Sequence, residues 1–247
     1  MKTLSSGRKR LFRNAITYGI VIAAFVILQI LNAGGLLSPS LQGQLVPICA
    51  YVTMAIALNL VVGISGELSL GHAGFMSVGA FSGVVVSLSL QQAIPSGPVR
   101  LAVAMLVGAV CAGIAGFIVG VPVLRLRGDY LAIVTLAFGE IIKNIINILY
   151  VGIDGNGLHF STQNEAALAL GEGGKAILKG PMGVTTNVKL SSFTAGFLLV
   201  MVALIVVLNL VNSRSGRAIM ALRDNRIAAE SVGISATKYK LMAFVTS

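Results

Sequence analysis

The chain has 247 residues, of which 56% are hydrophobic and only 11% charged, with a mean hydropathy of +0.92. A water-soluble domain carries about 25% charged residues, so a soluble globular fold is excluded for most of its length. The net charge of +10 would raise nucleic acid as a partner of a soluble protein. Here, however, the basic residues flank apolar runs, where anionic lipid and membrane topology account for them, so no nucleic-acid partner is expected.

The first fourteen residues, MKTLSSGRKRLFRN, have the character of a signal-peptide n-region. The apolar run behind them is longer than an h-region and ends at Leu31-Asn32-Ala33-Gly34 without a small-x-small cleavage site, which predicts a retained first span. Apolar runs near the ~20 residues needed to cross a bilayer follow in order: spans are predicted at 15–33, 41–62, 74–93, 99–124, 129–150 and 193–211. A seventh is expected to begin at Leu241–Ser247, so the sequence reads as C-terminally incomplete. The expected fold is therefore an all-α, polytopic transmembrane helical bundle: one domain over 1–247, with six complete spans, the start of a seventh and a broken or re-entrant segment near 63–74.

Alternating the spans from a cytoplasmic N-terminus sorts the basic residues by side. Lys2, Arg8, Lys9, Arg10, Arg13, Arg125, Arg127, Arg214, Arg217, Arg223, Arg226, Lys238 and Lys240 fall inside. Arg100, Lys175, Lys179 and Lys189 fall outside, and Lys143 lies within a span. The positive-inside rule is met without flipping any span. Two long connections remain: a glycine-rich extracytoplasmic loop, 151–192, without clear helical period, and a basic, amphipathic cytoplasmic loop, 212–240. With no soluble domain in the sequence, whatever energises the protein is expected on another chain.

Small residues recur at helical spacing, as Gly108, Ala112, Gly116 and Gly120 on one face and Gly79 and Gly83 on another. Such stripes let helix backbones approach closely in lipid. Cys49 and Cys111 lie inside apolar spans and read as small core residues.

Three constellations carry more than packing. In Gly63-Ile64-Ser65-Gly66-Glu67-Leu68-Ser69-Leu70-Gly71-His72-Ala73-Gly74, glycines and polar residues interrupt two apolar spans. Irregular backbone at membrane depth survives only where protein or a water-filled cavity satisfies it, and discontinuous helices often build transporter sites. The same residues would also serve as a tight turn with Glu67 and His72 as helix caps. The second constellation is Glu140, Lys143, Asn144 and Asn147, which the i, i+3, i+4, i+7 spacing gathers on one face of the fifth span. An ionisable group at that depth normally faces an interior or a water-filled path, and this stripe suits either interhelical ion pairing or the wall of an outward vestibule. The third is the helix-forming inner stretch Ser213–Ile234, with Gly233 as a C-terminal stop. Catalytic patterns are lacking: Gly171-Glu172-Gly173-Gly174-Lys175-Ala176 has Ala where a Walker A loop needs Ser or Thr. His72 and His159 stand far apart in sequence without an acid cluster. Neither a catalytic nor a metal site is expected.

At the inner loop the sequence resembles the permeases of the ABC branched-chain amino-acid importers, of the LivM type. Ala228-Ala229-Glu230 followed by Gly233 looks like that superfamily's coupling motif. Three further stretches carry the likeness in family order: Gly66–Phe75, Leu126–Leu136 and Gly180-Pro181-Met182-Gly183-Val184. Two features depart from the pattern. About thirty residues, including Asp154 to Lys179, intervene before the Gly-Pro-Met-Gly turn, and Arg226 stands where an acidic residue is expected.

The resemblance implies one half of a membrane heterodimer in a prokaryotic inner membrane, paired with a LivH-like second permease. Two cytoplasmic ATPases that use the ATP and an extracytoplasmic solute-binding protein would complete the importer, and this chain itself would bind no cofactor. The expected cargo is leucine, isoleucine and valine. A urea or short-amide importer permease and a secondary transporter are the alternatives. Expected substrate-path residues are Asn59, Glu67, Ser69, His72, Glu140 and Asn144. Expected ATPase-coupling residues are Arg217, Arg223, Ala228, Ala229, Glu230 and Gly233.

Overall fold

The computed structural model describes residues 6–91, 93–126, 128–155, 157–171, 174–184 and 190–247. Lys2, Arg127 and Lys189 of the charge distribution lie outside them, as do Glu172 and Gly173 of the glycine-rich stretch.

Six helices among the described residues are long and apolar enough to cross a membrane. They are α1 (Ser6–Ala33), α2 (Pro39–Asn59), α3 (His72–Ser89), α4 (Gly97–Val123), α5 (Asp129–Ile148) and α6 (Phe193–Asn212). Five of them lie within about a turn of their predicted bounds, and α1 starts nine residues earlier than predicted, at Ser6. α2 runs on without a break into a π-helical stretch, Leu60–Ser65, giving a 27-residue span, Pro39–Ser65. Where one domain is expected, the chain divides into two compact units: residues up to Ala57 with Ser191–Gly216, and Leu58–Leu190 with Arg217–Ser247.

In the first unit, Phe25 of α1 stacks on Phe193 and Phe197 of α6, with ring centroids 5.1 and 3.9 Å apart. The buried Cys49 of α2 lies against Gly196, where a Cβ would stand 2.9 Å from that of Cys49. Ser192 caps α6, its hydroxyl oxygen accepting from the Ala195 N–H at 3.2 Å; such caps satisfy one of the four orphan donors of a helix start.

In the second unit, α3 and α4 run antiparallel with glycine facing backbone. A Cβ at Gly108 would stand 2.5 Å from the Gly79 carbonyl oxygen, and one at Gly83 3.1 Å from that of Ala104. Farther along the same stripe, Gly120 meets Leu241 and Phe244 of α9 (Ala236–Thr246). One row of small residues thus serves two neighbours, α3 at one end and α9 at the other. The core beside it gathers Val61, Val119, Val123, Leu124, Leu131 and Phe244.

The outer connection, expected as a loop without periodicity, holds a three-stranded antiparallel sheet of order β2-β1-β3. β1 (Tyr150–Asp154) pairs with β2 (Gly157–Ser161) in the register Val151↔Phe160 and with β3 (Lys175–Lys179) in the register Val151↔Leu178, with a shift between Val151 and Gly152. The Asp154 carboxylate, only 3% exposed, accepts from the Gly171 N–H at 3.1 Å and pairs with His159 Nε2 at 3.0 Å. The inner connection folds as α7 (Arg214–Asp224) and α8 (Arg226–Ser231), followed by α9.

Candidate functional site

The site begins where α2 fails. In the π-helical stretch the Glu67 N–H reaches the Val61 carbonyl at 3.1 Å, and the Gly66 N–H bonds to the same oxygen. Gly66 closes the turn at φ +73°, a left-handed conformation that only glycine adopts at little cost. Residues 66–71 then run without helical bonds to the start of α3. Their polar backbone is not left bare. The Leu70 N–H donates to Thr135 Oγ1 at 3.1 Å, while that hydroxyl donates to the Ala132 carbonyl at 2.9 Å. Close approach explains the glycines. A Cβ at Gly71 would stand 2.8 Å from the Thr135 carbonyl carbon, and one at Gly74 3.0 Å from Gly139 Cα. The broken segment is therefore pressed against the middle of α5, where protein supplies the partner of its Leu70 N–H.

Against this break lies a cavity of about 360 Å³, within the ~300–1,000 Å³ of small-molecule sites. Leu70 and Gly71 border it from the broken segment, Ser77 and Phe81 from α3, and Pro181 and Gly183 from the turn after β3. α5 contributes Leu136, Glu140, Lys143 and Asn147. Lys143 Nζ and Glu140 Oε2 stand 3.2 Å apart, with side chains 63% and 56% exposed. An i,i+3 pair contributes only about 0.2–0.5 kcal/mol to a helix, whereas a charge facing hydrocarbon at mid-helix costs about 2.5–3.5 kcal/mol. The pair therefore does not face lipid; this side of α5 borders a polar space. Asn144 is not among the lining residues. At ~3.6 residues per turn it stands on the far side of Glu140 from Lys143, just past the edge of the cavity.

The remaining residues expected along the path lie elsewhere. Asn59 is exposed beside the π-helical stretch, with its side chain filling the space over Gly63. Glu67 forms an ion pair with Lys240 of α9, the two side chains 13% and 12% exposed. Ser69 Oγ lies 3.0 Å from His72 Nδ1, and His72 Nε2 lies 2.8 Å from Ser247 Oγ. The imidazole packs edge-on against Phe75 and Phe244. None of the four lines the cavity. Leu70 and Gly71 do so instead, while Glu67 ties the break to α9 and His72, held by Ser69, to Ser247 just after it. Polar type alone signalled these three; Lys240 read as a topology anchor, and Thr135, a lone hydroxyl in an apolar run, was the weak mark of the backbone's partner.

The inner segment joins the same break. Arg223 at the end of α7 donates through Nη1 to the Gly63 carbonyl at 2.8 Å, and its aliphatic stem covers Gly66. Asn225 caps α8, accepting from the Ala228 N–H at 3.0 Å. The helix ends in a paired turn: Gly233 N–H to the Glu230 carbonyl at 3.0 Å, and Ile234 N–H to that of Ala229 at 3.1 Å. This Schellman arrangement needs a left-handed residue, and Gly233 has φ +86°. Ala229, expected at a partner surface, is buried against Leu222 and Ala236; its missing bulk serves this chain's own packing. Glu230 is held by Arg226 at 2.9 Å. Outward stand Ala228 and Arg217, with Ile227 81% and Val232 75% exposed.

Comparison with known proteins follows this geometry. A family model described as the permease component of branched-chain amino acid transport systems matches residues 40–247. The chain is 36% identical over 217 residues to the high-affinity branched-chain amino acid transport system permease protein LivM of Salmonella typhimurium (strain LT2), an alignment covering 80% of this chain and 47% of that protein. It is 34% identical over 210 residues to LivM of Escherichia coli (strain K12), with the same two coverages. The chain thus spans about half the length of the curated relatives it matches. No solved structure matches it.

Proposed function

Since the chain belongs to the permease family of branched-chain amino acid transport systems, we propose that it is a path-forming membrane subunit of an ATP-driven importer of leucine, isoleucine and valine. It works in a prokaryotic inner membrane with its N-terminus in the cytoplasm. It pairs with a second permease, two cytoplasmic ATPases and an extracytoplasmic binding protein, and binds no cofactor itself. The chain supplies a path and a lever, and the chemistry belongs to the ATPases.

The observation that carries this reading is the connection between the inner segment and the cavity. Ile227, Ala228 and Val232 are exposed on and just after a short capped helix, the apolar surface that a docking partner would cover. Behind them, Arg223 is bonded to Gly63 and Lys240 to Glu67, and the segment they grip continues into the cavity wall at Leu70 and Gly71. A force applied at α8 therefore has a bonded route to the cavity. Of the residues expected along the path, Glu140 borders it; Glu67, Ser69 and His72 form its mechanical backing.

The test is reconstitution of the permease pair with its ATPases and the cognate binding protein in proteoliposomes. Uptake of labelled leucine should require ATP and the binding protein. Uptake driven by an ion gradient without ATP, or uptake of urea in place of leucine, would overturn the reading.

A further inference from the structure

We infer that the Glu140–Lys143 pair and the apolar wall beside it form a subsite for the zwitterionic head and branched side chain of a free α-amino acid. The inference rests on the import reading above and names what the path recognises on this chain.

The cavity carries one anion and one cation, and none of its other lining residues is ionisable. Its charges are already in contact, 3.2 Å apart. A free α-amino acid bears an ammonium and a carboxylate on one α-carbon, so it presents both charges side by side to the pair. The ammonium takes Glu140, the carboxylate takes Lys143, and the exchange leaves the cavity neutral. A ligand with a single charge satisfies one partner and leaves the other without its counter-charge. Asn147, one turn beyond Lys143 on the same wall, adds an amide that both donates and accepts. Beside the charges on α5, Leu136 and Ile146, with Leu70 of the broken segment and Phe81 of α3, offer an apolar surface to which an aliphatic side chain contributes by burial. A neutral uncharged amide would gain little here, because it has no charge for either member of the pair.

The experiment uses the full permease–ATPase complex in nanodiscs without binding protein, in a Cys49→Ser/Cys111→Ser background carrying Ser77→Cys as a reporter on the cavity wall. Labelling of Cys at that position by a hydrophilic methanethiosulfonate is timed with L-leucine, with isopentylamine (cation alone) and with 4-methylpentanoate (anion alone). Leucine should slow labelling, and the singly charged analogues should not at the same concentration. Glu140→Gln and Lys143→Met should each weaken protection by leucine about ten- to a hundredfold, the effect of losing one charge-assisted hydrogen bond. The swap Glu140→Lys/Lys143→Glu keeps a neutral pair and should restore part of the protection, which separates lost recognition from lost folding. Equal protection by all three ligands, no protection by any, or protection unchanged in both single variants would overturn the subsite. ATP-driven leucine uptake measured on the same wild-type preparation with binding protein keeps the two readings apart. Absence of uptake fails the import reading, whereas uptake without zwitterion selectivity fails only the subsite.

Discussion

Replacing Lys240 by Met tests whether the inner segment is truly fastened to the broken helix. Glu67 and Lys240 form an ion pair with side chains only 13% and 12% exposed. Removing one partner of a buried pair leaves an uncompensated charge, a loss of about 3–5 kcal/mol. The residual exposure lets some water reach Glu67, so Lys240→Met should cost about 3 kcal/mol. The double variant Glu67→Gln/Lys240→Met should recover about 2 kcal/mol of this, within the couplings found for contacting residues. Arg226→Ala is the control, because its i,i+4 partner Glu230 is 44% exposed and such pairs contribute about 0.3–0.5 kcal/mol. Reversible unfolding of the permease in mixed micelles, titrated with dodecyl sulfate, measures all four proteins. A loss below about 1 kcal/mol for Lys240→Met, the range of a solvated surface pair, would refute the fastening, as would a double variant no more stable than Lys240→Met alone.

Three further outcomes are expected. A Cβ at Gly233 meets nothing within 4 Å, so any cost there comes from the backbone at φ +86°, about 1–2 kcal/mol for a residue other than glycine or asparagine. Gly233→Val should therefore loosen co-purification of the ATPase and its leucine-stimulated hydrolysis, while Gly233→Asn should retain both. Gly71→Ala drives a methyl into the Thr135 backbone, whereas the nearest atom to a Cβ at Gly113 is 4.0 Å away. The first should abolish the yield of monodisperse permease and Gly113→Ala should leave it unchanged. For topology, a single cysteine at 165 should react with an impermeant thiol reagent in intact cells and one at 215 should be shielded; labelling at 215 would invert the assignment of sides.

The spans were legible because each is an apolar run of about twenty residues, a signal that averages over many side chains and tolerates local error. The sheet was not. Its strands are five residues each, and Gly152 and Gly157 erase the alternation that marks a half-buried strand. The polar face of α5 was legible from spacing, though spacing alone left open whether Lys143 pairs with Glu140, as it does here. The exclusion of Asn144 was not legible, because sequence gives an arc of the helix but not where a neighbouring cavity ends on it. Leu70 and Phe81 carry no sign of a site, since apolar lining residues look like core. In the break, Glu67 pairs with Lys240 of α9, and Ser69 and His72 bond to each other and to Ser247, while the cavity is bordered there by Leu70 and Gly71. The partners of Glu67 and His72 lie 173 and 175 residues away, a pairing that no local pattern contains.

The inner segment explains why a motif of small residues divides its labour so finely. On the proposed reading the segment acts as a lever, which must be stiff within itself, joined to its load and open to what drives it. Stiffness comes from Leu222, Ala229 and Ala236, which recur at equal spacing and pack on one another, and from the Asn225 cap and Gly233 turn at the two ends of α8. The junction comes from Arg223 and Lys240, which grip Gly63 and Glu67 at opposite ends of one short irregular stretch. Two points of attachment restrain orientation as well as position, so the segment cannot swivel about a single bond without straining the other. Beyond Glu67 the chain has little freedom, because the Leu70 N–H is held by Thr135 and Gly71 lies against its backbone. Displacement of α8 must therefore be resisted at α5 or passed to it, and α5 is the helix that carries Glu140 and Lys143.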